Sequence, residues 1–517
     1  MADLPPKKLD KAQLAACKEM LEAIVADPTQ LLEIDEEARK ALIIAAGRIS
    51  RPTRDEQIRT SKAFRKVMRK KNAEHDRVVR AETNIRKARQ EAVFSAPPRA
   101  LPGPGEDAAG ELKTPRDCYV CKSEFRRVHF FYDSMCPSCA AFNYEKRFQT
   151  ARLDGRTALI TGARLKIGYQ ASLMMLRAGA RVIATTRFPH DAAERYAREA
   201  DFSEWGDRLS VYGLDLRHTP SVELFSKHIC DTEPRLDILI NNAAQTVRRP
   251  PGFYAHIIER ELMRTSELSA GAQLLLRGHD QCAEALAPEV KSLAEGSSVT
   301  GALTSWINAT TRTGIGIRSS AALSQVPYAT DTAAHDAEMF PEGRLDADLQ
   351  QVDLRAKNTW RLTLAEVATP EMLEVHLINA VAPFVLCAKL KPLMLRDRTD
   401  EKHIVNVSAM EGIFSRHTKT DKHPHTNMAK AALNMMVVTS APDYVKDGIY
   451  MNAVDTGWVT DEDPAAISIR KKGEHDFEPP LDIVDGAARV CDPFFAGLLT
   501  GNHEYGKFFK DYKSSTW

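Results

Sequence analysis

Apolar residues recur at helical spacing near the start of the chain, at Leu14, Cys17, Leu21 and Ile24. Positions three and four apart lie on one face of an α-helix. This pattern continues in weaker form and predicts a helical N-terminal region over residues 1–94. No alternation of apolar and polar residues precedes about residue 118, so no strand is expected before that point.

The pattern changes after residue 150, where strand-like and helix-like segments alternate. Arg156–Gly162 resembles a buried strand that ends in a glycine turn, Gly168–Gly179 an amphipathic helix, and Arg181–Thr186 a second strand. In a β-turn-α-β unit of this kind, glycine lets the backbone approach a pyrophosphate, and the helix N-terminus faces its charge. The order predicts an α/β fold, a doubly wound parallel-sheet Rossmann domain over residues 150–517.

A Pro- and Gly-rich segment separates the helical region from the rest of the chain. Ser95-Ala-Pro-Pro-Arg-Ala-Leu-Pro-Gly-Pro-Gly lacks any hydrophobic period, as is typical of linkers. We therefore place a linker at residues 95–115.

Four of the nine cysteines form two CxxC pairs, Cys118 with Cys121 and Cys136 with Cys139. Two such pairs can complete the closed thiolate tetrahedron of a structural zinc ion. A redox disulfide would suit one CxxC pair rather than two. The spacing predicts a zinc module over residues 116–149, which resembles zinc ribbons and rubredoxin-like knuckles. Such modules bind DNA, RNA or protein, or brace a neighbouring domain, and the sequence does not choose among these roles.

Further motifs follow the first strand in a fixed order. They are Thr161-Gly162-Ala-Arg-Leu-Lys166-Ile-Gly168, Val211-Tyr-Gly-Leu-Asp215-Leu216, Asn241-Asn242-Ala243-Ala244, Leu377-Ile-Asn379, His403-Ile-Val-Asn-Val-Ser408, Thr426-Asn-Met-Ala-Lys430 and Asp455-Thr456-Gly457-Trp458-Val459-Thr460. Together they resemble the short-chain dehydrogenase/reductase (SDR) family, whose first turn is TGxxxGxG. The resemblance covers about residues 150–240 and 370–512.

The resemblance implies an oxidoreductase with a nicotinamide cofactor and assigns roles to the matching positions. It implies a catalytic set of Asn379, Ser408, Thr426 and Lys430. It implies cofactor binding by Thr161, Gly162, Arg164, Lys166, Ile167, Gly168, Arg187, Asp215, Leu216, Asn242, Ala243, Lys430, Gly457, Val459 and Thr460.

The end of the second strand distinguishes the two nicotinamide cofactors. NAD enzymes carry an acid there for the ribose hydroxyls, whereas an arginine accommodates the 2′-phosphate of NADP. This chain has Thr186-Arg187, with no acid before Asp191. The hypothesis is NADP(H), the alternative for Arg187 being an ordinary exposed loop charge.

The chain departs from the family at the proton donor. Thr426 stands where the family has tyrosine, and Ala409 stands where it has serine, with Ser408 one residue earlier. An aliphatic hydroxyl is a much weaker acid than a phenol. His423, His425 and Glu411 lie in the same segment as candidate substitutes, or as ordinary loop residues.

Three functions therefore stay open. The first is an NADP(H)-dependent oxidoreductase for a carbonyl or alcohol substrate with a non-standard acid/base set. The second is a catalytically inactive NADP(H)-binding scaffold or sensor. The third is a nucleic-acid or chromatin-associated adaptor that uses the zinc module and the basic stretch. A protein or nucleic-acid partner would then bind through the N-terminal region.

An insertion of more than a hundred residues follows the fourth strand of the pattern, at about residues 248–357. A crossover needs only a dozen or more residues. Residues 254–290 have helical spacing, and residues 296–345 are rich in Ser, Thr, Gly and Asp, as in a loop. Because ligands bind beyond the carboxyl ends of parallel strands, we expect the insertion to cover or shape the pocket.

Charge adds one local feature to this picture, since the whole chain carries only +1. Residues 51–100 hold 15 Lys or Arg against 6 Asp or Glu, a net of +9. Such a run is commonly a solvated helix face, and otherwise a contact for nucleic acid or another polyanion.

No stretch reaches the ~18 consecutive apolar residues of a membrane span, and the start lacks an apolar signal core, so we expect a cytoplasmic protein without membrane contact. SDR helices of the corresponding kind commonly form homodimers, which the resemblance makes an expectation here.

Overall fold

The computed structural model describes residues 9–99, 108–286, 314–327, 337–416 and 418–517. The chain divides into two compact units, Met1–His75 and Asp76–Trp517. The second unit contains the sheet and every candidate site residue.

The first unit is helical, as the sequence predicts. Its helices are α1 (Lys11–Ala26), α2 (Glu36–Ser50) and the first part of α3 (Arg54–Ala81). Asp10 and Asp35 cap α1 and α2 by accepting backbone N–H groups, which satisfies donors that a helix start leaves free. No residue of α1 or α2 is buried.

A hairpin and two short helices open the second unit. The elements are α4 (Asn84–Ala88), β1 (Ala108–Asp117), β2 (Glu124–His129) and α5 (Pro137–Arg147), with β1 antiparallel to β2.

The expectation of no strand before residue 118 was wrong, because β1 begins at Ala108, inside the predicted linker. Leu112 is the one buried residue of this strand, so no alternation marks it in the sequence. The carboxylate of Asp76 accepts the N–H groups of Lys113 and Thr114 at 2.6 and 3.1 Å, a partnership that only the folded chain provides.

Eight further strands form one sheet in the order β10-β9-β8-β7-β6-β3-β4-β5. All neighbours are parallel except β10, which is antiparallel to β9. The strands are β3 (Thr157–Thr161), β4 (Arg181–Thr186), β5 (Leu209–Gly213), β6 (Ile238–Asn241), β7 (Lys402–Ser408), β8 (Ile449–Asp455), β9 (Phe508–Lys510) and β10 (Lys513–Ser515). The predicted doubly wound α/β fold is confirmed.

Helices cover both faces of this sheet and bury two apolar cores. The helices that follow β3 are α6 (Lys166–Arg177), α7 (Pro189–Ala197), α8 (Phe202–Trp205), α9 (Thr219–Thr232), α10 (Ala255–Leu262), α11 (Ala270–Ala285), α12 (Ile315–Arg318), α13 (Ser320–Leu323), α14 (Thr369–His376), α15 (Ala382–Leu395), α16 (Pro424–Tyr444), α17 (Ala465–His475) and α18 (Ile483–Thr500). Side chains of α6 and α18 pack in one core, and side chains of α9, α15 and α16 in the other. Helices α10 to α13 belong to the insertion, and much of its predicted loop lies outside the described residues.

The segment Thr369–Leu395 is helical throughout and apolar enough to cross a membrane by length and composition, with a mean hydropathy of 1.5. Of its most apolar window, 56% is buried within the fold. Val375, Leu386 and Leu390 are fully buried, as in the core helix of a globular domain.

Candidate functional site

A cavity of about 580 Å³ lies beyond the carboxyl ends of the parallel strands. Twelve residues that the resemblance assigned to cofactor binding line it: Gly162, Arg164, Lys166, Ile167, Gly168, Arg187, Asp215, Leu216, Asn242, Ala243, Val459 and Thr460. They come from the ends of β3, β4, β5, β6 and β8. The topology therefore brings distant parts of the sequence to one cavity.

The glycine turn after β3 is closely packed. Gly162 has φ +70°, and a Cβ at Gly168 would lie 2.3 Å from the Gly162 carbonyl oxygen and 2.5 Å from Asn242 Nδ2. Thr161 holds the facing wall, because its hydroxyl accepts the N–H groups of Asn242 and Ala243 at 3.1 and 3.0 Å. Both glycines are thus required by close backbone contacts rather than by chain flexibility.

The first turn of α6 borders the cavity, and no side chain caps it. Free N–H groups at a helix N-terminus, with the helix dipole behind them, form a site for a phosphate. Lys166 stands here at the position of the family's middle glycine and adopts φ +53°. The backbone of this turn therefore keeps the left-handed conformation that glycine normally supplies.

The two cations of the turn differ in their partners. Arg164 is 7% exposed, and its guanidinium donates to Asp191 at 2.7 Å. Arg195 and Arg260 also pair with Asp191. Lys166 Nζ lies 3.9 Å from the Asp348 carboxylate of the insertion. Arg164 is therefore already engaged in an ion pair, and Lys166 is the freer charge.

Arg187, just after β4, lies beside the aromatic rings of Phe188 and Tyr254. Its guanidinium donates to the Tyr254 hydroxyl at 2.8 Å and to Ser324 Oγ at 3.3 Å, and it lies 5.5 Å from the Phe188 ring centroid. No carboxylate of the described residues forms an ion pair with it. Its charge contributes to lowering the pKa of the Asp215 carboxyl, but its hydrogen bonds go to hydroxyl groups, so the guanidinium can also face an anionic ligand beside β4.

Asp215, after β5, is buried and paired. Although burial raises its pKa, hydrogen bonds and the charge of Arg217 hold that pKa below its usual value. Arg217 Nη2 donates to the carboxylate at 2.5 Å. This carboxylate is therefore an ionised part of the cavity wall.

The insertion contributes a large part of the same wall. Its lining residues include Arg249, Phe253, Tyr254, Gln350, Gln351, Val352, Asp353 and Arg355. Sequence reasoning placed the insertion at the pocket but named none of these residues, because no motif marks them. They reach the cavity only through contacts that are distant in sequence, such as the Arg187–Tyr254 hydrogen bond.

The four predicted catalytic residues lie close to the sheet but outside the cavity lining. Asn379 bridges the backbone of Gln245, accepting its N–H at 2.8 Å and donating to its carbonyl at 3.1 Å. Ser408 donates to Asn434 at 2.5 Å. Lys430, 4% exposed, donates to the Val407 carbonyl at 2.7 Å, and burial lowers its pKa to about 8.

Thr426 is buried three residues after His423, which contacts the segment that follows the insertion. The His423 ring stacks on Trp360 with centroids 3.8 Å apart, and His423 N donates to the Leu362 carbonyl. Thr426, in the first turn of α16, is 1% exposed, and its hydroxyl has no hydrogen-bond partner among the described residues. The family's tyrosine position is therefore sealed from the cavity.

The three candidate substitutes do not line the cavity either. His425 is buried 3.7 Å from Glu371, His423 is stacked on Trp360, and Glu411 accepts from Arg416 at 2.7 Å. Gly457, also predicted for cofactor binding, lies just behind the lining residue Val459, with φ +76°. The structure thus assembles the cofactor set far more completely than the catalytic set.

Asp455 ends β8 beside this region and gives a pH-dependent expectation. Burial raises its pKa to about 6. A carboxyl whose folded pKa exceeds its unfolded value loses stabilising free energy as pH rises through the interval between them. Asp455→Asn should therefore raise the free energy of unfolding at pH 8 by on the order of 2 kcal/mol.

Denaturant unfolding of both proteins at pH 5 and pH 8 measures this effect. The gain in the free energy of unfolding should be larger at pH 8 than at pH 5. Asp421→Asn, at an exposed position, should change the free energy of unfolding at neither pH. An Asp455→Asn variant no more stable than the wild-type protein at pH 8 would contradict the raised pKa of the Asp455 carboxyl.

The four cysteines of the second candidate site also converge. Their sulfur atoms all lie within 4.8 Å of one another, and Cys121 Sγ lies 3.7 Å from Cys136 Sγ. A tetrahedron of Zn–S bonds of ~2.3 Å needs sulfur separations of about 3.8 Å. The cluster thus has the dimensions of a four-thiolate metal site.

Comparisons with known proteins agree with this architecture. Residues 156–295 match the family model described as short chain dehydrogenase, and residues 342–479 match the one described as Enoyl-(Acyl carrier protein) reductase. A 31% identity over 409 residues relates the chain to uncharacterized protein R665 of Acanthamoeba polyphaga mimivirus, covering 77% of this chain and 74% of that protein. The similarity thus extends well beyond the nucleotide-binding motifs.

Shorter matches relate the chain to proteins that are named for an activity. Dehydrogenase/reductase SDR family member 13 of Bos taurus is 39% identical over 93 residues, 18% of this chain and 24% of that protein. Human retinol dehydrogenase 14 is 39% identical over 103 residues, 18% of this chain and 31% of that protein. The chain therefore spans about a quarter to a third of these relatives.

Among solved structures, a short chain dehydrogenase from Shigella flexneri has a TM-score of 0.40 at 15% identity, covering 72% of this chain and 99% of that one. An NADPH-bound carbonyl reductase from chicken fatty liver has a TM-score of 0.39 at 16% identity, covering 71% and 100%.

Proposed function

Because the chain belongs to the short-chain dehydrogenase/reductase family, we propose that it binds NADP(H) and acts as an oxidoreductase on a carbonyl or alcohol substrate. The observation that carries the proposal is the cavity over the strand ends. It extends from Arg187 after β4 to Val459 after β8, four strand positions away. At ~4.8 Å per strand this is about 19 Å, a span suited to an extended dinucleotide.

The uncapped start of α6 lies between these ends and supplies N–H donors for the pyrophosphate. The adenosine half would then lie over β4 and β5, and the nicotinamide half toward β8. When bound, the nicotinamide supplies a hydride acceptor or donor.

Arg187 supports the choice of NADP(H) over NAD(H). Its guanidinium has no carboxylate partner among the described residues and is oriented by Tyr254 and Ser324. A planar guanidinium forms charge-assisted hydrogen bonds with a phosphate. A 2′-phosphate on the adenosine ribose is the group that such a residue would recognise.

Arg187→Ala should weaken NADPH binding roughly 10- to 100-fold, because a hydrogen bond to a charged group contributes about 1.5–3 kcal/mol. NADH binding should change little, since NADH lacks the 2′-phosphate. Isothermal titration with both cofactors measures the two affinities. Arg198→Ala, at an exposed position of the same region, serves as the control. Equal losses for NADPH and NADH would contradict the assigned role.

For the cysteine cluster we propose one structural zinc ion held by Cys118, Cys121, Cys136 and Cys139. Four thiolates close the coordination sphere and leave no position for a substrate. The ion would supply folding free energy to a hairpin too small to be stable alone.

A second candidate function is an NADP(H)-binding scaffold or sensor without turnover. The burial of Thr426 favours it, since no phenol stands at this position and Thr426 does not line the cavity. Under the oxidoreductase proposal, the proton comes from another group of the cavity or from water.

Absorbance at 340 nm separates the two functions once NADPH binding has been established. The protein is incubated with NADPH and a panel of aliphatic and aromatic aldehydes and ketones. Consumption of NADPH by any of them supports the oxidoreductase. Saturable binding without consumption across the panel favours the scaffold.

A further inference from the structure

The cysteine module and the cofactor domain share one apolar core. Phe131, Tyr132 and Met135 of the module are fully buried in a cluster that also contains Val459 and Leu481. Val459 is at the same time a lining residue of the cavity. The module therefore packs directly behind the cavity wall.

Polar contacts fix the same interface at the start of α18. The Tyr132 hydroxyl donates to Asp485 Oδ1 at 2.5 Å. Arg147 pairs with Asp482 at 2.6 Å and with Asp485 at 3.1 Å, and all these side chains are buried. These buried hydrogen bonds and ion pairs join the module to the start of α18.

Tyr119, between two of the cysteines, reaches the loop that follows β8. Its phenolic oxygen accepts the backbone N–H of Trp458 at 3.0 Å. A Cβ at Gly457 would lie 3.1 Å from that oxygen and 2.5 Å from Leu481 Cδ1. Val459 and Thr460, the two residues after Trp458, line the cavity.

We infer that Tyr119 is a positioning residue for the nicotinamide end of the cofactor site. The loop from Thr456 to Asp463 contains no helix or strand, so contacts from outside must set its backbone. The hydroxyl of Tyr119 provides one of these contacts. Tyr119 directly follows Cys118, and its backbone N–H donates to the Ser134 carbonyl at 2.8 Å. The metal site thereby acts on cofactor binding through Tyr119, an inference that rests on the proposed NADP(H) function.

Tyr119→Phe tests this inference, because it removes only the hydroxyl. NADPH binding should weaken about three- to ten-fold, the usual effect of one lost hydrogen bond. Binding of 2′-phospho-ADP-ribose, which lacks nicotinamide, should be unchanged. Zinc content and the Tm without ligand are measured in parallel to exclude unfolding of the module.

Val128→Ala is the matched control, because Val128 is buried in the same module and its apolar side chain cannot form a hydrogen bond to Trp458. Equal weakening of both ligands, or unchanged NADPH binding, would overturn the inference and leave the proposed function standing. Failure of the wild-type protein to bind NADPH would instead overturn the proposed function.

A second inference concerns the basic part of α3. Every residue from Gln57 to Lys71 is exposed, and this stretch contains seven cations and no acid. At 3.6 residues per turn, six of the cations fall within an arc of roughly 140°. They are Arg59, Lys62, Arg65, Lys66, Arg69 and Lys70.

Phe64, Val67 and Met68 lie on the opposite side and are 53% to 68% exposed. No ion pair involves the six cations within the described residues. We propose that the basic face binds a nucleic-acid phosphate backbone, whose spaced negative charges match a continuous row of cations.

Fluorescence anisotropy of the full chain with labelled duplexes of DNA and of RNA tests this proposal. Charge reversal at Lys62, Arg65, Lys66 and Arg69, each replaced by glutamate, should weaken binding more than ten-fold. It should also reduce the slope of log binding constant against log salt concentration by about four. Reversal of four exposed cations elsewhere, Lys389, Arg398, Lys446 and Lys472, should have little effect. Unchanged binding by the first variant would overturn the proposal. So would binding to anionic phospholipid vesicles in place of both nucleic acids.

Discussion

Gly168→Ala is expected to weaken NADP(H) binding about 100-fold or more. The added Cβ would lie 2.3 Å from a backbone oxygen of Gly162, a contact that only a shift of the turn can relieve. This shift moves the N-terminal N–H groups of α6 away from the pyrophosphate. The loss of two charge-assisted hydrogen bonds, at about 1.5–3 kcal/mol each, accounts for the expected size.

Titration of the variant with NADPH measures the effect, and the Tm without ligand shows how far the fold itself is strained. Gly473→Ala is the matched control, because no atom lies within 4 Å of its added Cβ and helix α17 accommodates alanine. If the Gly168 variant bound NADPH normally, the pyrophosphate would not lie at this turn.

Cys136→Ser has the second large expected effect, on zinc content and on stability. Serine is a poor zinc ligand, so the variant should lose the ion that the four thiolates hold in the wild-type protein. Because zinc binding and folding are coupled, the Tm should fall by more than ~5 °C, corresponding to a loss of several kcal/mol. Because the module shares an apolar core with Val459 and Leu481, the loss of stability should also affect the cofactor site.

Metal analysis of purified protein and thermal unfolding measure these two quantities. Cys17→Ser, an exposed cysteine of the helical unit, should change neither. Wild-type protein purified without bound zinc, or an unchanged Tm of the Cys136 variant, would contradict a structural metal site.

The sequence predicted most of the Rossmann sheet because local patterns and the family motifs coincide there. Gly162, Asp215 and Asn242 follow apolar strand segments, and parallel pairing brings those strand ends together. Strand β1 could not be predicted in the same way. It has one buried side chain, and its backbone depends on the carboxylate of Asp76, which lies in another element.

For the candidate site, motifs identified residue types but not their accessibility. Lys430 and Thr426 are spaced along the sequence as the family requires, and α16 places both near β7. Both are buried in the folded chain, and the nearby stacking of His423 on Trp360 joins segments about sixty residues apart. Tyr254 reaches Arg187 from within the insertion, and no local signal predicts which residue of a long insertion lines a cavity.

The most direct test of the account is a thermal-shift titration of the full chain with NADPH, NADP⁺, NADH and NAD⁺. A ligand that binds only the folded protein raises its Tm with increasing concentration. A saturable rise in Tm is expected with NADPH or NADP⁺, larger than with either NAD form. No rise with any of the four would mean that this SDR fold does not use its cavity for a nicotinamide cofactor.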